Sequence, residues 1–239
     1  MVKNNVAWII GAAGGIGQMC AETLSKNYQR LCLFDKRDAS YVFESHDFFQ
    51  VDFSNYEVAL EQCLHAVQEY GAPEILCFAA GEVISQPFDK TTENIVYSLF
   101  QNNFLALINS LKIFYDCCDK SSFIRKNIII ISSNAGVVAR VNQPIYAALK
   151  AAINSLIRSL AKDWGKFNIK VNGIAPGTVI VNRNIDSLKV KFPDFPIDKS
   201  RPLPQLMYPN NMAPVIQFLM NKDVPITGQI IVIDGGSTL

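Results

Sequence analysis

Tyr146 and Lys150 stand four residues apart in the run Tyr146-Ala147-Ala148-Leu149-Lys150, and Ser133 precedes the tyrosine by thirteen residues. A spacing of four puts both side chains on one face of a helix, within reach of one another. The chemistry such a pair could do is proton transfer at an alcohol or carbonyl oxygen, beside a site of hydride transfer. A phenol alone is too weak a base for this. It titrates near pH ~10, and drawing it towards neutrality takes roughly 4 kcal/mol. An ammonium ~4 Å away supplies about that much at an effective dielectric of ~20.

A second chemical feature lies at the other end of the chain. Gly11-Ala12-Ala13-Gly14-Gly15-Ile16-Gly17 follows a short apolar run and opens a helical pattern. Glycines in that position permit a tight turn and let the backbone approach a pyrophosphate seated on the helix N-terminus. The spacing is GxxxGxG instead of the commoner GxGxxG. Asp35, 18 residues after Gly17, ends the next apolar run, where a carboxylate can accept from ribose hydroxyls. It would repel a 2′-phosphate, which favours NAD over NADP by ~1–2 kcal/mol at a partly exposed site. Lys36 and Arg37 follow at once and either soften that preference by binding a phosphate or form a solvated turn. Asp52 could reach an adenine amine, and Ala79-Ala80-Gly81 offers small residues where a cofactor would lie close.

The elements that must position these groups read as alternating strands and helices. Strands are expected at Val6–Ile10, Arg30–Phe34, Phe48–Val51, Glu74–Phe78, Asn127–Ser132, Lys170–Ile174 and Ile230–Ile233. Helices are expected at Gly15–Tyr28, Tyr56–Tyr70, Glu93–Cys118, Pro144–Trp164 and Asn211–Met220, the fourth with an apolar stripe from Ile145 to Trp164. The pattern implies an α/β fold: a Rossmann-type, doubly wound, seven-stranded parallel sheet with helices on both faces, in one domain over residues 1–239. Asp35–Asp47 is too short for a full crossover helix. Asn182–Pro214, rich in Pro, Asn and Lys, reads as a lid over the substrate or as a surface insertion.

Composition excludes several classes. With 22 basic and 21 acidic residues, no global field favours nucleic acid. No apolar run approaches ~18 residues, so no membrane partner is expected, and no signal peptide precedes the first strand. Six cysteines without zinc or CxxC spacing read as core residues of a reduced, cytoplasmic protein. His46 and His65 are too far apart for a metal cluster, and no metal is expected.

These motifs together resemble the short-chain dehydrogenase/reductase family along nearly the whole chain. The glycine loop, the Ser133-to-Tyr146 spacing, Val171-Asn172-Gly173-Ile174-Ala175-Pro176-Gly177, Ile226-Thr227-Gly228-Gln229 and Asp234-Gly235-Gly236 all take part. The resemblance implies a catalytic tetrad of Asn103, Ser133, Tyr146 and Lys150; Asn102 is a neighbouring candidate, but the apolar spacing through Val96 and Leu99 favours Asn103. In it Tyr146 passes the proton, Lys150 lowers the phenol's pKa and bonds the nicotinamide ribose, Ser133 bonds the substrate oxygen, and Asn103 positions a water. The implied NAD(H) site comprises Gly11, Ala13, Gly15, Ile16, Gly17, Asp35, Asp52, Phe53, Ala79, Ala80, Gly81, Tyr146, Lys150, Pro176, Gly177 and Val179, with NADP(H) not excluded. Three positions depart from the family pattern. Ile10 stands where a Thr is usual, Phe78-Ala79 where paired Asn residues are usual, and Val181 where a Thr usually holds the carboxamide, leaving more of that contact to the backbone of Val179.

The substrate is left open. Arg140, with Ser133 and Tyr146, is a candidate substrate residue, since an arginine in that loop could hold a carboxylate with two hydrogen bonds. With the short stretch after Asp35 and the ending Asp234–Leu239, it gives a resemblance to 2,3-dihydro-2,3-dihydroxybenzoate dehydrogenases. Phe192 and Phe195 are compatible with covering a ring. The alternative is a 3-oxoacyl-thioester or other carbonyl reductase, with Arg125 and Lys126 as a thin docking patch for a carrier protein. A third reading is a non-catalytic nucleotide-binding sensor or scaffold. The family also implies a homodimer or homotetramer built on the long helices.

Overall fold

The computed structural model describes residues 5–39 and 46–239. Seven strands, β1 (Val6–Ile10), β2 (Arg30–Asp35), β3 (Asp47–Gln50), β4 (Pro73–Phe78), β5 (Lys126–Ile131), β6 (Ile169–Pro176) and β7 (Ile230–Ile233), form one parallel sheet in the order β3-β2-β1-β4-β5-β6-β7. This is the doubly wound Rossmann-type arrangement expected. The strands are near-continuous apolar runs because both of their faces are covered, and β1, β4, β5 and β6 are buried along their whole length.

Alternate residues on each strand point to opposite faces. Trp8, Ile10, Leu76, Phe78, Ile128 and Ile130 pack on one side with α2 (Tyr56–Tyr70), α4 (Ala106–Cys117) and α5 (Pro144–Trp164). Ile9, Ile75, Cys77, Ile129 and Ile131 pack on the other with α1 (Gly15–Leu24) and α7 (Ala213–Met220). All six cysteines are free, and all but Cys117 are buried, as core residues should be.

The sheet order turns back between β1 and β4, and the carboxyl ends of those strands open the crevice where ligands bind in open α/β sheets. The glycine loop leaves β1 there and Ala79-Ala80-Gly81 leaves β4 beside it.

Several elements differ from expectation, β3 and β5 by a residue at each end and the last helix by starting at Ala213 after a 3₁₀ turn, Pro209–Met212. The first helix stops at Leu24, and β6 runs on to Pro176. The single helix expected over Glu93–Cys118 is α3 (Glu93–Phe100), a π turn at Gln101–Leu105, and α4. Within the stretch anticipated as irregular, Asn182–Asn184 forms a 3₁₀ turn and Ile185–Lys191 a helix, α6, whose Leu188 packs with Ile180 and Leu206. Residues 40–45, on which the expectation of a short link between β2 and β3 depends, lie outside the described residues. Among the described residues, no helix is long and apolar enough to cross a membrane.

Candidate active site

The glycine loop is fixed by contacts that leave no room for side chains at two positions. Gly11 has φ +85°, and a Cβ there would meet the Ala80 Cα at 2.6 Å; a Cβ at Gly17 would meet the Ala12 Cα at 2.8 Å and collide with the Gly11 carbonyl. Substitution at either would displace backbone, since the neighbours are main-chain atoms. The loop is tied to β2 by Gly11 N–H donating to the Phe34 carbonyl at 2.8 Å and by Ala13 N–H donating to the Asp35 carboxylate at 3.0 Å. Gly15 and Ile16 open α1, whose N-cap, Gly14, has no side-chain cap, so backbone donors at that end are left for a ligand. A cradle closed to Cβ atoms, at a helix N-terminus, with a carboxylate at its rim, fits a dinucleotide.

Asp35 is buried, and Arg37 folds back on it, with Nε 3.3 Å and its own backbone N–H 3.0 Å from Oδ1. The guanidinium also approaches Gly14, with Nη2 3.8 Å from where a side chain would begin. Lys36 donates to the Asn102 amide oxygen at 2.7 Å, and Asn102 donates in turn to Glu82 at 2.9 Å. Neither base is thus merely a solvated turn residue. Asp52 is exposed, its carboxylate accepting from Ser54 N–H at 2.8 Å. Phe53 has its ring in the core, 5.6 Å from that of Phe34, and its carbonyl accepts from Asn109. Ala79 N–H bonds the Ile10 carbonyl, which sets the Ala79–Gly81 segment against the loop.

Ser133, Tyr146, Lys150 and Asn103 converge at the carboxyl end of β5. Pro144 lies in the first turn of α5, where its missing N–H costs nothing. The face at spacings of four then carries Tyr146, Lys150 and Asn154 inward, all three buried. Asn154 was not foreseen. It accepts from Ser132 Oγ at 2.6 Å and donates to the Gly136 carbonyl at 3.2 Å, clamping the loop that carries Ser133 to the helix that carries Tyr146. The signal was a polar residue between Ile153 and Ile157 on a buried stripe. Ser133 caps the 3₁₀ turn Asn134–Gly136 through Ala135 N–H at 3.1 Å, and its side chain favours the charged form of the Tyr146 phenol.

Lys150 Nζ lies 5.5 Å from the Tyr146 ring centroid, donates to the Ile131 carbonyl at 3.3 Å, and sits 3.7 Å from where a side chain at Gly81 would begin. Asn103 Oδ1 is 2.8 Å from that same point, and its amide bonds the Glu82 carbonyl at 2.9 Å. Asn103 is fully buried at the centre of the π turn, whereas Asn102 is half-buried.

The electrostatics differ from the simple Coulomb expectation for the pair. Burial raises the Tyr146 phenol above its ordinary value, against the opposing hydrogen bond with Ser133 and the positive charge of Arg183. Burial also lowers the Lys150 ammonium to about 8. Desolvation of the two buried groups outweighs the pull of one on the other.

The remaining expected residues lie on the opposite wall. Pro176 ends β6, and Gly177 N–H bonds the Ile233 carbonyl at 2.8 Å. Val179 bridges to Met207, and its carbonyl already accepts from Asn184 at 2.9 Å. Asn134 donates to Asp234 and to Ser237, each at 3.0 Å, so the Asp234–Ser237 segment braces the Ser133 loop. Burial would raise the Asp234 carboxyl, but hydrogen bonds from Asn134, Ser237, Thr238 and Gly236 N–H hold it below the usual range. Arg140 is on the rim, half-buried, where its carbonyl accepts from Gln143 N–H. Phe192 and Phe195 pack against the Ile180–Leu188–Leu206 cluster, so neighbouring residues account for them without a ring substrate. Among the described residues no group of three or more His, Cys, Asp or Glu side chains is placed to hold a metal.

Residues 5–188 match the family model described as short chain dehydrogenase. The chain is 28% identical to a tropinone reductase homologue of Arabidopsis thaliana (98% of this chain, 75% of the relative). It is 26% identical to a 7alpha-hydroxysteroid dehydrogenase of Bacteroides fragilis (99% and 95%) and 26% identical to an acetoacetyl-CoA reductase of an Acinetobacter species (99% and 98%). Among solved structures it is similar to 4-hydroxyisoleucine dehydrogenase complexed with NADH (27% identity, TM-score 0.81, 98% and 99% coverage). It is also similar to ElxO with NADP bound (25%, 0.86, 98% and 99%).

Proposed function

The chain belongs to the short-chain dehydrogenase family, and on that premise we propose that it is an NAD(H)-dependent oxidoreductase interconverting a secondary alcohol and a ketone. The observation that carries this reading is the convergence of Ser133, Tyr146 and Lys150 beside the glycine cradle, with Lys150 Nζ 5.5 Å from the Tyr146 ring and 3.7 Å from where a side chain at Gly81 would begin. A bound nicotinamide would supply or accept the hydride. Tyr146 gives its phenolic proton to the substrate oxygen in reduction and takes it back in oxidation. Ser133 donates a hydrogen bond to that oxygen as charge develops on it. Lys150, once charged, stabilises the phenolate and bonds the ribose, and Asn103 holds the β4 exit against Lys150 and positions the water that reconnects it to solvent.

NAD(H) is the preferred cofactor in this reading, because Asp35 meets the ribose edge of the cradle. Arg37 and Lys36 stand close enough to make the discrimination modest, and the relatives include both NADH and NADP complexes. Tyr146→Phe should lower turnover by about 10²–10⁴-fold while NADH binding persists. Undiminished turnover in that variant would sink the mechanism, and NADH binding without turnover on a broad alcohol and carbonyl panel would favour the sensor reading instead.

For the substrate, the carrier-protein alternative loses its docking patch. Arg125 bonds Asn168 and the Lys222 carbonyl, and Lys126 is buried with its ammonium on the Ile124 carbonyl. The dihydroxybenzoate reading has no support from the substrates named for the relatives. A homo-oligomer fits the exposed apolar side chains Val96, Tyr97, Phe100 and Ile108 along α3 and α4; a monomer by light scattering would count against it. Six free thiols suit a reducing compartment, and the cytoplasm is the proposed location.

A further inference from the structure

The segment that follows β6 holds five cations and three carboxylates. Asp186 pairs with Lys189 at 3.8 Å, Asp194 with Lys199 at 2.7 Å and Asp198 with Arg201 at 2.7 Å. Lys191 lies over the Phe192 ring at 5.4 Å. Arg183 is left, the one cation of residues 182–214 with neither a carboxylate nor a ring among the described residues. Elsewhere Arg30, Arg37 and Arg125 are also engaged, by Asp47, Asp35 and Asn168.

The turn that carries Arg183 is built, not loose. Val181 N–H donates to Asn184 Oδ1 and Asn184 Nδ2 donates to the Val179 carbonyl, both at 2.9 Å. The Val181 side chain lies 3.0 Å from where a side chain at Gly15 would begin, so the turn stands over the glycine loop. From there the positive charge of Arg183 is felt at the Tyr146 phenol, which is not so for the other two unpaired arginines, Arg140 and Arg158. A guanidinium is a rigid planar fork that matches a carboxylate with two parallel hydrogen bonds. The Arg183 side chain is exposed on this turn over the glycine loop, and without a partner among the described residues it offers a binding group to a ligand in the crevice.

We propose that Arg183 selects the substrate by binding a carboxylate of the molecule whose hydroxyl or keto oxygen faces Tyr146. The enzyme would then act on hydroxy acids and oxo acids in preference to neutral alcohols and ketones. This rests on the oxidoreductase reading above and narrows its substrate class.

The test need not wait for the substrate. Benzoate and uncharged, isosteric benzamide are titrated by calorimetry into the NADH complex of the wild type and of Arg183→Gln, Arg183→Lys, Arg140→Gln and Arg158→Gln. Arg183 makes no hydrogen bond or ion pair among the described residues, so its variants should melt with the wild type. The expected result is benzoate binding at least about tenfold tighter than benzamide in the wild type, with the preference lost in Arg183→Gln, partly kept in Arg183→Lys and intact in Arg158→Gln. Equal binding, or no binding of either probe, overturns the proposal. So does a preference that survives Arg183→Gln, and one that disappears in Arg140→Gln moves the anion site to that residue. Failure of the oxidoreductase reading would show separately, as unchanged turnover in Tyr146→Phe, and would leave the benzoate preference measurable.

Discussion

The two walls of the crevice are made in different ways. The glycine-loop wall is largely backbone against backbone: Gly11 lies on Ala80, Gly17 on Ala12, and three N–H groups bond the end of β2. The wall from Val179 to Met212 is side chain to backbone and ion pair by ion pair, held by Asn184, by Arg201 on Asp198 and the Asp234 carbonyl, and by the Val179–Met207 bridge. The first arrangement has one solution and tolerates no added atom. The second keeps its outline while individual side chains change, so a fixed cofactor can be combined with a variable substrate.

That contrast can be broken at several points. Gly17→Val should do most, since the added atoms meet main chain; NADH binding should fall beyond about 100-fold, and the fold itself should lose ~1–3 kcal/mol, the scale of overpacking. A Gly17→Val variant with normal NADH affinity by fluorescence would mean that the cradle is softer than its contacts imply.

Lys150→Met comes next and acts in the opposite direction on stability. The ammonium is buried in a site that lowers its pKa to about 8, so below that pH the folded state carries a charge that burial disfavours. Between pH ~8 and ~10.4 the unfolded chain binds the extra proton, and wild-type stability rises with pH. The variant should therefore be more stable than wild type at pH 7, by up to about 3 kcal/mol, and the advantage should shrink as pH rises through that window. Paired thermal melts at pH 7 and 9.5 test the sign.

Smaller effects sharpen the comparison. Asp35→Asn should shift preference towards NADPH by roughly 1–2 kcal/mol, seen as a ratio of kcat/KM values, because Arg37 is freed as the carboxylate is removed. Asn184→Ala removes two hydrogen bonds from the far wall, costs about 1 kcal/mol of stability, and should raise substrate KM while leaving NADH affinity near wild type. Equal losses of substrate and NADH affinity would show that the walls are not independent.

The same contrast decides what could be read from sequence. The strands, the glycine loop and the Tyr146–Lys150 face were legible because each follows from local periodicity or from a steric demand that only glycine meets. The apolar spacing that favoured Asn103 over Asn102 also matched, as Asn103 is the buried one. The π turn around it was not legible, since Gln101–Leu105 contains no Gly or Pro to mark a break in the helix. Helix α6 was hidden by the Asn and Pro residues that flank it and by its own two lysines, although Ile185, Leu188 and Phe192 carried a helical spacing. The partners of Asp234 and Arg125 depend on which distant loops meet, and no local pattern encodes that.

The π turn at Gln101–Leu105 has a consequence for how this protein could change. A π turn is an α-helix with one residue to spare. Deleting a single residue from it would let α3 and α4 fuse into one regular helix and swing Asn103 about 100° off its present direction. The shortened chain should fold at least as well while losing the polar group beside Lys150. A frame-preserving loss of one codon is a small genetic step, so at this stretch selection for stability and selection for chemistry pull against each other.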